Sequence, residues 1–393
     1  MSKNKLKMII GLFLVIISVF FLAHFLNGPF PRQALSMAGL FQSDEMDHIV
    51  GQYTTIVDEQ GKVLSMMARK VAVGDQLITD EGKNYRVEEV DGNQATAKFL
   101  GMDPEIISYG NFYTKQAIAA AGKPAGPPAS IAMYHTHSDE SYVPTDGADS
   151  IPFKGGIYHV GASMADELGA VRAKVNYDRT PHDPHDNNAY NRSRRTAVDL
   201  IKANPVAVFD VHRDGIPDPG YYRAHIGGKD VAKLRLVIGR ENPRMSANMD
   251  FAKRMMAAAN SAQPKVVKEI FIGKGNYNQD LLPTALLIEA GTHTNTREEA
   301  EKGIALFAGI VPSVLGMTGA PGAGRPEFNK PLTDVTARNA GVWKAVAWIV
   351  GVALVGGSAF LLVSAGSWSG AMKKLSGFWN ELTGLAIKRR NRL

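Results

Sequence analysis

Residues 206–215 read VAVFDVHRDG. An uninterrupted apolar run that ends in Asp210, His212, Arg213 and Asp214 is the pattern of a strand covered on both faces in an α/β sheet. Alternation places positions 210, 212 and 214 on one face if the strand persists. In open α/β sheets, ligands bind beyond the carboxyl ends of the strands, so reactive groups at this end of a buried strand point to a site.

Two other segments repeat the pattern. Residues 131–142, IAMYHTHSDESY, run from an apolar stretch into His135, His137 and Glu140. Residues 284–300, TALLIEAGTHTNTREEA, run into Glu289 and Gly291. A carboxylate at the end of an apolar strand is costly unless it is paired or functional. Eight of the ten histidines lie between His135 and His293.

Between and around these segments, short apolar runs alternate with helical patterns, which predicts an α/β domain over 130–318 with a mainly parallel sheet flanked by helices. Expected strands are 131–134, 174–177, 206–211, 235–238, 269–272 and 285–289. Expected helices are 157–168, 188–204, 248–262 and 297–315, the last opened by a capping box of Thr296 and Glu299. Pro312 is expected to kink or end that helix.

Residues 48–101 have shorter apolar runs separated by turn signals such as Asp80-Glu-Gly82 and Asp91-Gly92. They predict a small β-rich domain, 48–120 with a following helix, ahead of the main one. The Pro/Gly-rich stretches 121–129 and 319–340 read as linkers.

The two ends face a membrane. Residues 8–26, MIIGLFLVIISVFFLAHFL, follow Lys3, Lys5 and Lys7; a helix of this length spans about 28 Å, roughly one hydrocarbon core. The run is too long for a signal peptide and lacks a small-residue cleavage site. Residues 343–366 hold a second apolar run edged by Trp343, Trp348 and Trp368. A basic tail, 367–393, follows it. Positive flanks at both ends predict two spans, both termini cytoplasmic and the body extracytoplasmic.

The chain has 393 residues, enough for two or three domains. It has no cysteine, which excludes a disulfide scaffold, an iron–sulfur cluster and a thiol nucleophile. The net charge of +6 comes partly from the membrane flanks. No pattern of stacking aromatics accompanies the basic runs, which argues against nucleic-acid binding.

Taken together, the three strand ends suit a zinc site. Imidazole and carboxylate are zinc ligands, and a catalytic zinc keeps three protein ligands and one open position. His137, Glu140 and His212 supply three. Glu289 supplies a general base, and Asp210 or Asp214 can orient His212 from behind.

YHTHSDESY (134–142), DVHRDG (210–215) and LIEAGTHTNTREEA (287–300), together with NNAYNRSRR (187–195), resemble the stage II sporulation protein P family over roughly 130–315. That family is in turn similar to zinc-dependent N-acetylmuramoyl-L-alanine amidases. The resemblance matches His137 and His212 to zinc ligands and Glu289-Ala-Gly291…Asn295 to the amidases' E-x-G…N motif. The amidases' ligand Glu lies in a different context, so Glu140 fills the third position here, with His135, His182, Asp183 and His185 as rivals. Arg213 and Asn295 are candidates to contact substrate or order the site.

The resemblance implies hydrolysis of peptidoglycan during spore engulfment, at the amide between stem peptide and muramic acid or at cross-links. It also implies stage II sporulation proteins D and M as partners. The second membrane run is not part of the family pattern. Two other readings stand beside this one: a zinc carboxypeptidase-like wall peptidase, and a non-catalytic peptidoglycan-binding scaffold.

Overall fold

A computed structural model describes residues 52–117, 129–170, 173–186, 188–263 and 265–317, with isolated positions between 365 and 373. The expected span 8–26, the linker 121–129 but for its last residue, and the linker 319–340 lie outside the described residues, as do the span 343–366 and tail 367–393 apart from those isolated positions. Among the described residues no helix is long and apolar enough to cross a membrane. Every element below belongs to the compact unit Met37–Pro326.

The first part contains β1 (Thr54–Val57), β2 (Val63–Met67), β3 (Gln76–Thr79), β4 (Lys83–Asp91), β5 (Gln94–Met102) and α1 (Pro104–Ala117). There follow β6 (Ser130–Tyr134), α2 (Val143–Asp146), α3 (Ile157–Ala170), β7 (Lys174–Tyr177), α4 (Ala189–Ile201) and β8 (Ala207–Asp214). The last part holds β9 (Arg223–Ile226), β10 (Lys229–Ala232), β11 (Leu234–Gly239), α5 (Met245–Ala262), β12 (Val267–Gly273), β13 (Ala285–Thr292), α6 (Arg297–Ala308) and α7 (Val311–Val314).

Eleven strands form one sheet in the order β2-β1-β5-β4-β3-β12-β11-β13-β8-β6-β7, while β9 and β10 make a separate hairpin. The sheet is mixed, which corrects the expectation of a mainly parallel one. Strands β13, β8, β6 and β7 run parallel to one another, and β11 runs parallel to β12, but β11 is antiparallel to β13. The β-rich segment adds further antiparallel ladders. The connections β1–β2, β3–β4 and β4–β5 are only two to five residues long, and such hairpins can join only antiparallel neighbours; β1, reached from β5 by no direct connection, pairs with it in parallel. The segment also shares the sheet of the α/β part, because β3 pairs with β12 from Ile272↔Gln76 to Glu269↔Thr79.

Strands β8, β11 and β13 are buried along their whole length, as expected where helices cover both faces. On one face Phe209, Val211 and Ile288 meet Val160 and Met164 of α3 and Phe307 of α6. On the other, Val208 and Tyr134 meet Ala197 and Leu200 of α4. The expected capping box opens α6: Thr296 accepts from Glu299 N at 3.1 Å, and Glu299 accepts from Thr296 N at 3.0 Å. That helix ends at Ala308, and Pro312 stands in the first turn of α7, where its missing N–H costs nothing.

A buried ion network joins the β-rich segment to β8. Arg235 is 1% exposed. Its guanidinium donates to Asp214 at the end of β8 and, at 2.6 Å, to Glu269 of β12. Ser65 of β2 donates to Glu269 at 2.8 Å, and the Ala68 N–H donates to Asp214 at 2.9 Å. Removing the cation would leave two carboxylates buried without it. Arg235→Met is therefore expected to lower stability by about 3–5 kcal/mol, read from urea denaturation; a loss under about 1 kcal/mol would show that the network carries little.

Candidate metal centre at the strand ends

The site is built from the ends of β6, β8 and β13. Cross-strand pairs project from the same face of a sheet. Tyr134 pairs with Asp210, Leu287 with Asp210 and Glu289 with His212. Asp210, His212 and Glu289 therefore share the face that α4 covers.

After Tyr134 the chain leaves β6 and turns beneath this face. Asp210 catches it: its carboxylate accepts from the Thr136 N–H at 2.8 Å and from the Thr136 hydroxyl at 2.6 Å. The same carboxylate lies 2.9 Å from His212 Nε2. On the other side of that ring, Nδ1 lies 3.5 Å from Glu140 Oε1. Glu140 is held there because its second oxygen accepts from the Arg213 N–H at 2.9 Å. The His137 ring stands nearly perpendicular to His212, with centroids 5.2 Å apart.

This geometry calls for positive charge between His212 and Glu140. Burial disfavours a charged ring, but Asp210 and Glu140 outweigh it and hold the His212 pKa well above its ordinary value. Nδ1 must either carry a proton or give its lone pair to a cation. A ring backed by a carboxylate on its other nitrogen is the usual setting of a metal-ligating histidine.

A second group overlaps this one. One donor atom from each of His137, Asp139 and His185 lies within 4.8 Å of the others. The His137 and His185 rings stack with centroids 3.8 Å apart. His185 Nδ1 lies 3.0 Å from Asp139 Oδ1, and Ser150 donates to Asp139 Oδ2 at 2.5 Å. Burial raises the Asp139 pKa, but these contacts prevail and hold it at about 2.

The remaining sequence candidates sit elsewhere in the scaffold. His135 uses both ring nitrogens, on Val211 O and the Tyr177 hydroxyl, each at 2.6 Å. His182 bonds His135 O at 2.7 Å and Thr196 at 2.8 Å. Asp183 accepts from Ser138 at 2.5 Å and from the Phe153 N–H at 3.1 Å. The Arg213 guanidinium donates to the carbonyls of Ser141, Asp214 and Asp149, so it orders the loop that carries Glu140. Asp214 belongs to the Arg235 network. Asn295 closes the turn after β13, accepting from Thr292 N at 3.0 Å and donating to Glu299 at 3.1 Å. Gly291 has φ +70°, and a side chain there would meet Ala232 and Asn295; the glycine and asparagine of the E-x-G…N stretch thus form one tight turn.

Reading the sequence missed Asp139. The available signal was its spacing, two residues beyond His137 in the same loop. It also missed Gly155, where an added Cβ would stand 2.4 Å from Glu140 O and 2.5 Å from Ser138 O, so only glycine lets the following turn lie against the loop.

The fold and site define a mixed α/β sheet protein with a buried His/Asp/Glu cluster at its strand ends. Residues 57–312 match the family Stage II sporulation protein P (SpoIIP), and the chain belongs to that family. It is 27% identical over 191 residues to Stage II sporulation protein P of Bacillus subtilis (strain 168), a match covering 44% of this chain and 47% of that protein. The aligned part thus spans about half the relative's length. Among solved structures, the N-acetylmuramyl-L-alanine amidase Ami1 of Mycobacterium smegmatis is similar with a TM-score of 0.32 and 16% identity, covering 51% of this chain and 100% of that one. The CwlD amidase of Clostridioides difficile, solved with the GerS lipoprotein, gives a TM-score of 0.33 and 13% identity, covering 46% and 95%.

Burial pushes the His135 pKa down to about 4 from 6.5. The unfolded chain therefore takes up this proton first as pH falls. The stabilising contribution is complete above pH 6.5 and is lost between 6.5 and 4, about 3 kcal/mol in all. Urea midpoints measured in chelator should fall across that window, and His135→Gln should flatten the fall. An equal slope in the variant would assign the effect to other groups.

Proposed function

We propose that the chain is a zinc-dependent peptidoglycan hydrolase of sporulation that cleaves the amide between N-acetylmuramic acid and L-alanine. The observation that carries this reading is His212, set between Asp210 at 2.9 Å and Glu140 at 3.5 Å, with the His137 ring 5.2 Å away. Family membership supports the sporulation role. The resemblance of His137, His212 and Glu289-Ala-Gly291 to the zinc amidase motifs supports the bond. Under this reading 8–26 and 343–366 anchor the body outside the membrane, where the wall lies, and stage II sporulation proteins D and M are partners.

The donor set fits zinc, which takes nitrogen and carboxylate oxygen. His137, Glu140 and His212 would hold it. Zinc would polarise the scissile carbonyl and make bound water more acidic. Asp210 fixes the His212 ring, and the Arg213 N–H fixes Glu140. Glu289 stands on the strand beside His212 and shares its face. Its carboxylate accepts the proton of the attacking water and delivers it to the leaving amide nitrogen, so the C–N bond breaks as the C–O bond forms.

The compact trio of His137, Asp139 and His185 favours a second ligand set around the same His137. Zinc content measured by mass spectrometry separates the two. Glu140→Gln is expected to lose zinc while His185→Ala keeps it, and the reverse would transfer the site to the second trio.

Activity is tested with the full-length chain in detergent on isolated peptidoglycan, with released fragments identified by mass spectrometry. Stem peptides with a free L-alanine amine should appear with zinc and disappear with chelator. Glu289→Gln should slow release by about 10²–10⁴-fold. Loss of a terminal residue instead would mark a carboxypeptidase. Intact wall with zinc-loaded protein bound to it would leave a scaffold.

A further inference from the structure

The turn 151–155 is fastened at both ends to the loop that carries His137 and Asp139. The Ile151 N–H donates to Asp139 O at 2.7 Å, and the Gly155 N–H donates to Ser138 O at 3.0 Å. Phe153 lies between these clamps. The residue is 62% exposed, more than any other large hydrophobic among the described residues. Its φ is +65°, a left-handed conformation that crowds the Cβ of a bulky residue.

Both properties work against stability. An exposed ring forgoes burial, and glycine would take this backbone without strain. The surroundings nevertheless hold Phe153 in place. Its N–H donates to Asp183 Oδ1 at 3.1 Å, while Asp183 Oδ2 accepts from Ser138 Oγ at 2.5 Å. One carboxylate thus ties the aromatic residue to the neighbour of His137. Strain maintained by a hydrogen-bonded frame beside a reactive cluster is a mark of function.

We propose that Phe153 is a substrate-binding residue, a platform for a saccharide ring of the glycan strand. This rests on the hydrolase reading above. The bond to be cut hangs from a muramic acid residue, so a sugar ring must lie within a few atoms of the reacting carbon. The C–H face of a pyranose is apolar and matches the face of a phenyl ring, whereas stem peptides are rich in carboxylates. The rim turn puts an aromatic face in solvent beside the cluster, where a long strand can be laid down without entering a closed pocket.

The test uses the full-length chain carrying Glu289→Gln, so that turnover does not consume the ligand, and measures co-sedimentation with purified sacculi. Phe153→Ala should weaken binding at least tenfold, and Phe153→Trp should restore it. Phe153→Gly should bind as weakly as Phe153→Ala yet melt no lower than its parent, an outcome that a packing role would not give. Glycan strands stripped of stem peptides should displace the protein. Unchanged binding by Phe153→Ala, or displacement by free stem peptides but not by bare glycan, would overturn the proposal. Hydrolysis by the chain with Glu289 intact is followed in parallel. Absence of stem-peptide release there would remove the amidase reading, while the binding series would still decide the role of Phe153.

Discussion

The carboxylate of Asp210 holds the site together. It sits on a strand buried from end to end, where an unpaired charge would be expensive, and it is satisfied from two directions. Thr136 donates from backbone and side chain, which fixes the path of the chain immediately before His137. His212 approaches with Nε2, which turns its other nitrogen towards Glu140. A loop from one strand and a ring from the next are thus indexed to a single group. The penalty for leaving that group unsatisfied keeps both in place.

Outward from Asp210, the scaffold repeats this economy. Arg213 follows His212 and so points to the opposite face, where it gathers the carbonyls of Ser141, Asp149 and Asp214. Its backbone N–H, facing sideways, holds Glu140. Asp214 ends the same strand and anchors Arg235. Within DVHRDG, then, neighbouring residues have separate duties set by strand alternation: one holds the loop, one faces the cluster, one orders the far side and one joins the sheet to the β-rich segment.

Much of this was legible in the sequence. The apolar runs of β6, β8 and β13 marked central strands because those strands are covered on both faces, and the polar groups at their ends marked the candidate site. Strand-end placement led to His137, Glu140 and His212. In the fold Glu140 lies 3.5 Å from His212 and the His137 ring 5.2 Å from the His212 ring, while among the described residues the donor atoms gathered within 4.8 Å of one another are those of His137, Asp139 and His185. Sheet direction was less legible, because an apolar run looks the same whether its neighbour runs parallel or antiparallel; β11 reverses against β13 without a local signal. The division into a small and a large domain was drawn from rhythm and a Pro/Gly stretch, whereas β3 meets β12 through backbone pairing, which side-chain pattern does not encode. Asp139 and His185 were obscure for another reason. Forty-six positions separate them, and only the folded loop brings them beside His137. Asp214, Asn295 and His135 had the composition of site residues, but their polar atoms are used in holding the scaffold.

The continuous sheet bears on how such a protein can change over time. A domain joined by a linker can be exchanged, duplicated or lost as a module. Here β3 supplies the hydrogen-bonding partner of β12, and Ser65 and Ala68 supply partners for Glu269 and Asp214. Losing the N-terminal strands would bare a sheet edge, an invitation to aggregation, and would strip the frame behind the strand that carries His212. The β-rich segment is therefore bound to the same lineage as the site. Its surface can diverge to suit new contacts, but its inner edge must evolve in step with the sheet it completes.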